Sequence, residues 1–180
     1  MCVVMTLAAL PAALHPGFAF ATEYLTAAAA QAQMFPDATS FVPQTVALTA
    51  EQTRAIAGRG SATGFNPAAW SIVAAHSGDT LLGYVVIDNV IGKFEYITYA
   101  VAFAPDGRIR GVEILAYRES HGAEVRTRAW RNQFVGKTAS AALTIDADIA
   151  NISGATLSCT HLTDGVRRIA TYVQSALRKS

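Results

Sequence analysis

Between residues 69 and 115 the chain is a series of short runs rich in Val, Ile, Tyr and Phe, and the turns between them are too brief to hold a crossover helix. The runs are 70–75, 80–90, 95–103 and 108–115. The turns are Ser77-Gly78-Asp79, Ile91-Gly92-Lys93 and Pro105-Asp106-Gly107. Aromatic and β-branched residues bounded by turn residues favour strands. Parallel neighbours need a connection of a dozen or more residues, so turns this short allow only antiparallel pairing, which predicts a meander of about four strands. In the third run Ile97, Tyr99, Val101 and Phe103 alternate with Thr98, Ala100 and Ala102, the period of a strand with one buried face.

Helical patterns flank this block. Residues 24–34 are Ala-rich and end at Pro36, and an extended stretch follows around 40–48. Thr49 opens a second helix with Gln52 three residues on, a capping-box spacing, and Gly58-Arg59-Gly60-Ser61 ends it. Beyond the strands a helix is predicted over 124–134, then a looser stretch to Ile152. In the closing helix Leu162, Val166, Ile169, Val173 and Leu177 form one apolar stripe, with Arg167, Arg168, Arg178 and Lys179 off it. The sum is an α+β fold, helices packed on an antiparallel sheet.

Residues 1–21 contain no Lys, Arg, Asp or Glu. An apolar run over 2–13 is broken at Pro16-Gly17, and Ala19-Phe20-Ala21 has the A-x-A form of a signal-peptidase site. Pro11 and Pro16 interrupt the run, which makes it a poorer membrane span than a signal. The expectation is a signal peptide over 1–21, a single domain over 22–180, and a periplasmic or otherwise extracytoplasmic protein. Cys2 would leave with the signal, and Cys159 alone can form no internal disulfide. The 14 basic and 13 acidic residues give a net charge of +1, with no basic stripe suited to nucleic acid.

The segment Ile152-Ser153-Gly154-Ala155-Thr156-Leu157-Ser158 is a run of small residues ahead of the last helix. Such a turn lets a ligand approach the backbone, and a helix N-terminus offers free N–H groups to a phosphate. A hydroxyl there could also become the phosphate ester. On composition alone, Ser158 or Thr160 could simply cap the helix. Three further patterns fail. Gly136-Lys137-Thr138 lacks the first glycine of a P-loop, where Arg131 stands. Asn151 stands where a nucleophile elbow needs Gly. His76, His121, His161 and Cys159 show no metal-ligand spacing.

Ser153-Gly154-Ala155-Thr156 with Leu157-Ser158 resembles the S/T-G-A-T-x-S/T flavinylation motif of the FMN-binding domain family, which includes the FMN-carrying subunits of Rnf complexes and of sodium-pumping NADH:quinone oxidoreductases. Glu119-Ser120-His121-Gly122-Ala123-Glu124 resembles the family's E-T-P-G-L-G loop, and Trp130 with Gln133-Phe134-Val135-Gly136 resembles its W-x-x-Q-F-x-G. The likeness extends through Leu162-Thr163-Asp164-Gly165-Val166 and covers roughly residues 80–178. It implies FMN esterified through its phosphate to Thr156, with Ser153, Gly154, Ala155, Leu157, Ser158, Glu119, His121 and Gly122 around the cofactor. It also implies two partners: a magnesium-dependent FAD:protein FMN transferase that makes the bond, and a membrane-bound oxidoreductase. An electron carrier is then expected, the protein tethering the flavin and setting its potential. A non-covalent FMN-binding module and a flavin-dependent reductase of a small extracytoplasmic substrate are the alternatives. Ala150 stands where the family usually has Asp, and the loop has Ser120-His121 for Thr-Pro. Arg118, Arg126, Arg128 and Arg131 are expected on a solvated helix face, and Trp130 and Phe134 on its buried face.

Overall fold

The computed structural model describes residues 22–45, 47–60 and 65–175. The expected signal over 1–21 lies outside the described residues, as do Leu177, Arg178 and Lys179. Six strands make one antiparallel sheet: β1 (Thr22–Glu23), β2 (Ser40–Gln44), β3 (Ser71–Ser77), β4 (Thr80–Ile91), β5 (Tyr96–Phe103) and β6 (Ile109–Tyr117), in the order β1-β6-β5-β4-β3-β2. Strands β3 to β6 are the meander that the short turns require. Two flanking strands add to it. The extended stretch near 40–48 becomes β2 and pairs with β3 from Ser40 opposite His76 to Gln44 opposite Ile72. β1 places Thr22 opposite Tyr117 and Glu23 opposite Ala116, and two residues are too few to show an alternation.

Among the described residues four α-helices complete the α+β fold: α1 (Ala27–Met34), α2 (Ala50–Ala57), α3 (Arg128–Arg131) and α4 (Thr156–Ser175). α1 starts three residues later than predicted, because Thr26 caps it by accepting the Ala29 N–H at 3.2 Å. The α2 capping box forms on both sides: Thr49 Oγ1 accepts the Gln52 N–H at 3.1 Å, and Gln52 Oε1 accepts the Thr49 N–H at 2.9 Å.

Both faces of the sheet are covered. Ile72, Tyr84, Val86, Val90, Ile97, Tyr99, Val101 and Phe103 pack under α4 and the 125–155 segment. Ala100 and Ala102, the small half of the β5 alternation, are fully buried beneath Ala30, Met34 and Phe35 at α1. Alternation in β5 therefore marks which face takes large side chains, not which face meets water.

Leu162, Val166, Ile169 and Val173 are buried in the core, as the α4 stripe predicts. Arg168 departs from it, being 2% exposed with its guanidinium 5.5 Å from the Phe65 ring centroid. α4 packs on α2 as well as on β4 and β5, so little of it reaches solvent. The buried Asp88 accepts the Tyr99 hydroxyl at 2.9 Å. Burial pushes its carboxyl above the usual range, and the Asn89 amide, the Tyr99 hydroxyl and the Arg168 charge pull the other way.

The single helix expected over 124–134 is broken into a 3-10 turn (Ala123–Arg126), α3, and a second 3-10 turn (Asn132–Phe134). The break is at Thr127, whose backbone is extended and whose Oγ1 accepts the Trp130 N–H at 3.4 Å. A β-branched residue with a hydroxyl serves better as a cap than inside a helix. Trp130 and Phe134 still meet edge-to-face, with ring centroids 5.2 Å apart, and both are buried.

Candidate functional site

Three separate stretches of chain converge at one end of the sheet. They are the β4–β5 turn, the loop after β6, and the segment 150–155 with the first turn of α4 that continues it. Between them lies a cleft of about 400 Å³ lined by Lys93, Phe94, Glu119, Ser120, His121 and residues 154–158. That volume falls within the range of small-molecule sites.

The 150–155 segment is fixed from below by the W-x-x-Q pair. Trp130 Nε1 donates to the Ala150 carbonyl at 2.7 Å, and Gln133 Oε1 accepts the Ala150 N–H at 2.7 Å. Both backbone groups of one residue are thus held by side chains of a single helical turn. From there the chain reverses at Gly154, whose φ of +83° is left-handed and suits glycine. Ala155 is buried, and α4 begins at Thr156. Ser158 and Thr160 lie inside the helix, so neither is the cap that composition alone would allow. Thr156 is exposed, and its Oγ1 accepts from Asn151 Nδ2 at 3.3 Å. The exposed Leu157 also lines the cleft.

Ser158 is buried, 3.2 Å from the Tyr117 hydroxyl, which donates to the His121 carbonyl at 2.5 Å. That pair ties α4 to the loop after β6. Gly122 makes the approach possible: a Cβ there would lie 2.6 Å from Ala155 Cβ and 2.7 Å from the Tyr117 hydroxyl. Gly122 therefore shapes the cleft from behind, while Ser120 and His121 line it, with Ser120 Oγ 2.9 Å from His121 Nδ1.

Glu119 also lines the cleft, but one carboxylate oxygen is committed elsewhere. Its Oε1 accepts the backbone N–H groups of Lys93, of Phe94 at 2.6 Å and of Glu95 at 2.9 Å. Burial raises this carboxyl's pKa, but the three amides and the Lys93 charge outweigh it and hold it below its ordinary 4.5. A depressed folded value means that the stabilisation is full above the unfolded pKa and is lost as pH falls through the folded one. Glu119→Gln should therefore lower stability by about 1–2 kcal/mol at neutral pH, a charged acceptor being worth more than a neutral one. The difference from the parent protein should shrink as pH drops below 4.5. Paired thermal melts from pH 7 to pH 3 measure it, and a gap that stays constant would show that the carboxylate charge is irrelevant.

Of the nine residues that the motif resemblance assigned, seven line the cleft. Gly122 stands behind it, and Ser153 is exposed next to Gly154 without lining it. The four arginines expected on a helix face do not line it either. Arg131 pairs with Glu113 and donates to the Val112 carbonyl at 2.6 Å, Arg126 lies over the Tyr24 ring, and Arg118 donates to Thr98 Oγ1 at 3.1 Å. The lining cation is Lys93, and the lining aromatic is Phe94. Sequence reasoning passed over both, although an aromatic at a turn between two strands is itself unusual.

The family model of the FMN-binding domain matches residues 92–171. Residues 92–171 are an FMN-binding domain. The match begins at the β4–β5 turn and runs into α4, so every residue lining the cleft belongs to the FMN-binding domain, while α1, α2 and the first strands lie upstream of it. No curated protein matches the chain. The cleft suits FMN: left-handed Gly154 and small Ala155 open the backbone at a helix N-terminus where a phosphate is favoured, while Phe94 and Leu157 offer apolar walls. Among the described residues no cluster of His, Cys, Asp or Glu could hold a metal ion, and no helix is long and apolar enough to cross a membrane.

Proposed function

We propose that the protein is an exported electron carrier whose FMN is attached covalently through its phosphate to Thr156. The observation that carries this reading is the exposed Thr156 hydroxyl at the first residue of α4, opening into the cleft of the FMN-binding domain. Asn151 occupies an acceptor position of Oγ1 and so biases the direction of its proton. Bound FMN supplies reversible electron transfer, and the chain supplies the tether, the walls and the charge around it. The FAD:protein FMN transferase would form the Oγ1–phosphorus bond as the pyrophosphate bond of FAD breaks. AMP leaves, and the hydroxyl proton goes to solvent. A tether makes sense outside the cytoplasm, where lost cofactor could not be replaced, and the A-x-A site at Ala19–Ala21 supports export. A membrane-bound oxidoreductase is the partner proposed for the carried electrons.

Residues 22–180 expressed in a cytoplasm without any FMN transferase should give a folded, colourless protein. Adding the transferase, FAD and magnesium ions should turn it yellow, with a mass gain of one FMN less one water and a band that stays fluorescent on a denaturing gel. Flavin that leaves completely on denaturation would make the site non-covalent. A domain that modifies itself with FMN or FAD alone would remove the transferase from the scheme.

A further inference from the structure

Phe94 is 76% exposed, more than any other large apolar side chain among the described residues. An aromatic ring in water on a loose loop would need no explanation, but this turn is not loose. One Glu119 oxygen takes three consecutive N–H groups, from Lys93 to Glu95, and the Gly92 N–H donates to the Glu95 carbonyl at 2.8 Å. His161 Nδ1, from α4, lies 2.6 Å from the Ile91 carbonyl and 3.0 Å from that of Gly92. The lip is therefore tied both to the loop after β6 and to the helix that carries Thr156. Gly92 is needed for this, since a Cβ there would sit 2.5 Å from Glu119 Oε1. A fold that fixes the backbone of this turn so firmly presents the exposed Phe94 ring from a pre-organised position, as a planar partner needs.

We propose that Phe94 is the platform on which the isoalloxazine ring of FMN stacks, with Leu157 as the opposite wall. The inference rests on the reading that the phosphate is anchored at Thr156. The ribityl chain then carries the ring away from the anchor, and Phe94 and Leu157 are the large apolar groups lining the cleft. Ser120 and His121 give the same cleft a polar side for the heteroatoms at the ring's edge. Lys93 Nζ lies 4.8 Å from the centroid of the Phe94 ring and occupies one of its faces, leaving the other for the flavin. The same ammonium brings positive charge to the place where the flavin takes up electrons.

The full chain, flavinylated by the transferase, tests this through the flavin's own fluorescence. An indole in contact with a flavin quenches it by electron transfer. Phe94→Trp should therefore give a several-fold loss of flavin emission, and Val42→Trp, an exposed control on β2, should give none. Phe94→Ala, compared with the parent chain at equal content of attached flavin, should lower the fluorescence anisotropy of that flavin. Equal emission from the two Trp variants, or unchanged anisotropy in Phe94→Ala, would overturn the platform. A denaturing gel reads the tether separately. If it shows no attached flavin even on the parent chain, the Thr156 reading fails, and the same quenching comparison with free FMN and the protein in excess still decides whether the ring lies on Phe94.

Discussion

Replacing Trp130 by Ala should destabilise the domain by about 3–5 kcal/mol, the scale of large aromatic truncations in a packed core. The ring is 5% exposed and packs edge-to-face on Phe134, within the cluster that includes Val125, Ala155 and Cys159. Truncation also leaves the Ala150 carbonyl without the indole N–H, and because Ala150 is exposed and water can replace the donor, that loss costs about 0.5–1.5 kcal/mol. The two costs overlap and are not summed, because water can enter the space. Trp130→Phe separates them. It keeps most of the packing and loses the N–H, so it should cost about 1–2 kcal/mol and slow flavin attachment more than its stability loss explains. Chemical denaturation gives the first quantity and transferase assays below the unfolding transition give the second. A midpoint that does not move in Trp130→Ala would show that the tryptophan anchors nothing.

The meander was legible in the sequence because turn length alone settles the pairing of Ser71–Ser77, Thr80–Ile91, Tyr96–Phe103 and Ile109–Tyr117. The α4 stripe was legible because four positions in register suffice to define a face. Three features were not legible, each for a local reason. β1 has two residues and is made only by the Tyr117 and Ala116 positions opposite it. Residues 124–134 hold a helical apolar spacing at Trp130 and Phe134, but Thr127 uses its hydroxyl to begin a turn rather than continue one. Arg168 lies off the stripe, where charge normally marks an outer face, yet it is buried with its guanidinium over the Phe65 ring and its charge acting on Asp88.

The site was legible in the same uneven way. The Ser153–Ser158 run is contiguous, so a motif can show it, and seven of the nine assigned residues line the cleft. Glu119 lines the cleft, but its bonds to Lys93, Phe94 and Glu95 join positions 24 to 26 residues apart. No local pattern predicts such a contact. The lip that it holds was therefore missed together with Phe94.

Thr156→Ala should abolish covalent flavin while the domain stays folded. Thr156 is exposed at the first residue of α4, and the bond its hydroxyl makes is with the likewise exposed Asn151. Loss of a hydroxyl at a helix start costs about 0.5–2 kcal/mol where that group caps the helix, and here the side chain faces the cleft, so the lower end applies. The modification, by contrast, has no other oxygen in the same place. Ser153 lies beyond left-handed Gly154, and Ser158 is buried against Tyr117. Thr156→Ser keeps a hydroxyl on the same Cβ and should keep part of the modification. Ala150→Asp tests the departure from the family pattern on the same assay. Ala150 is exposed and its two backbone bonds come from Trp130 and Gln133, so a carboxylate can be added without disturbing either. Faster attachment in Ala150→Asp would make that carboxylate part of transferase recognition, and an unchanged rate would mean that this chain is recognised without it. Flavin surviving denaturation at parental level in Thr156→Ala would place the bond on another residue and end the Thr156 assignment.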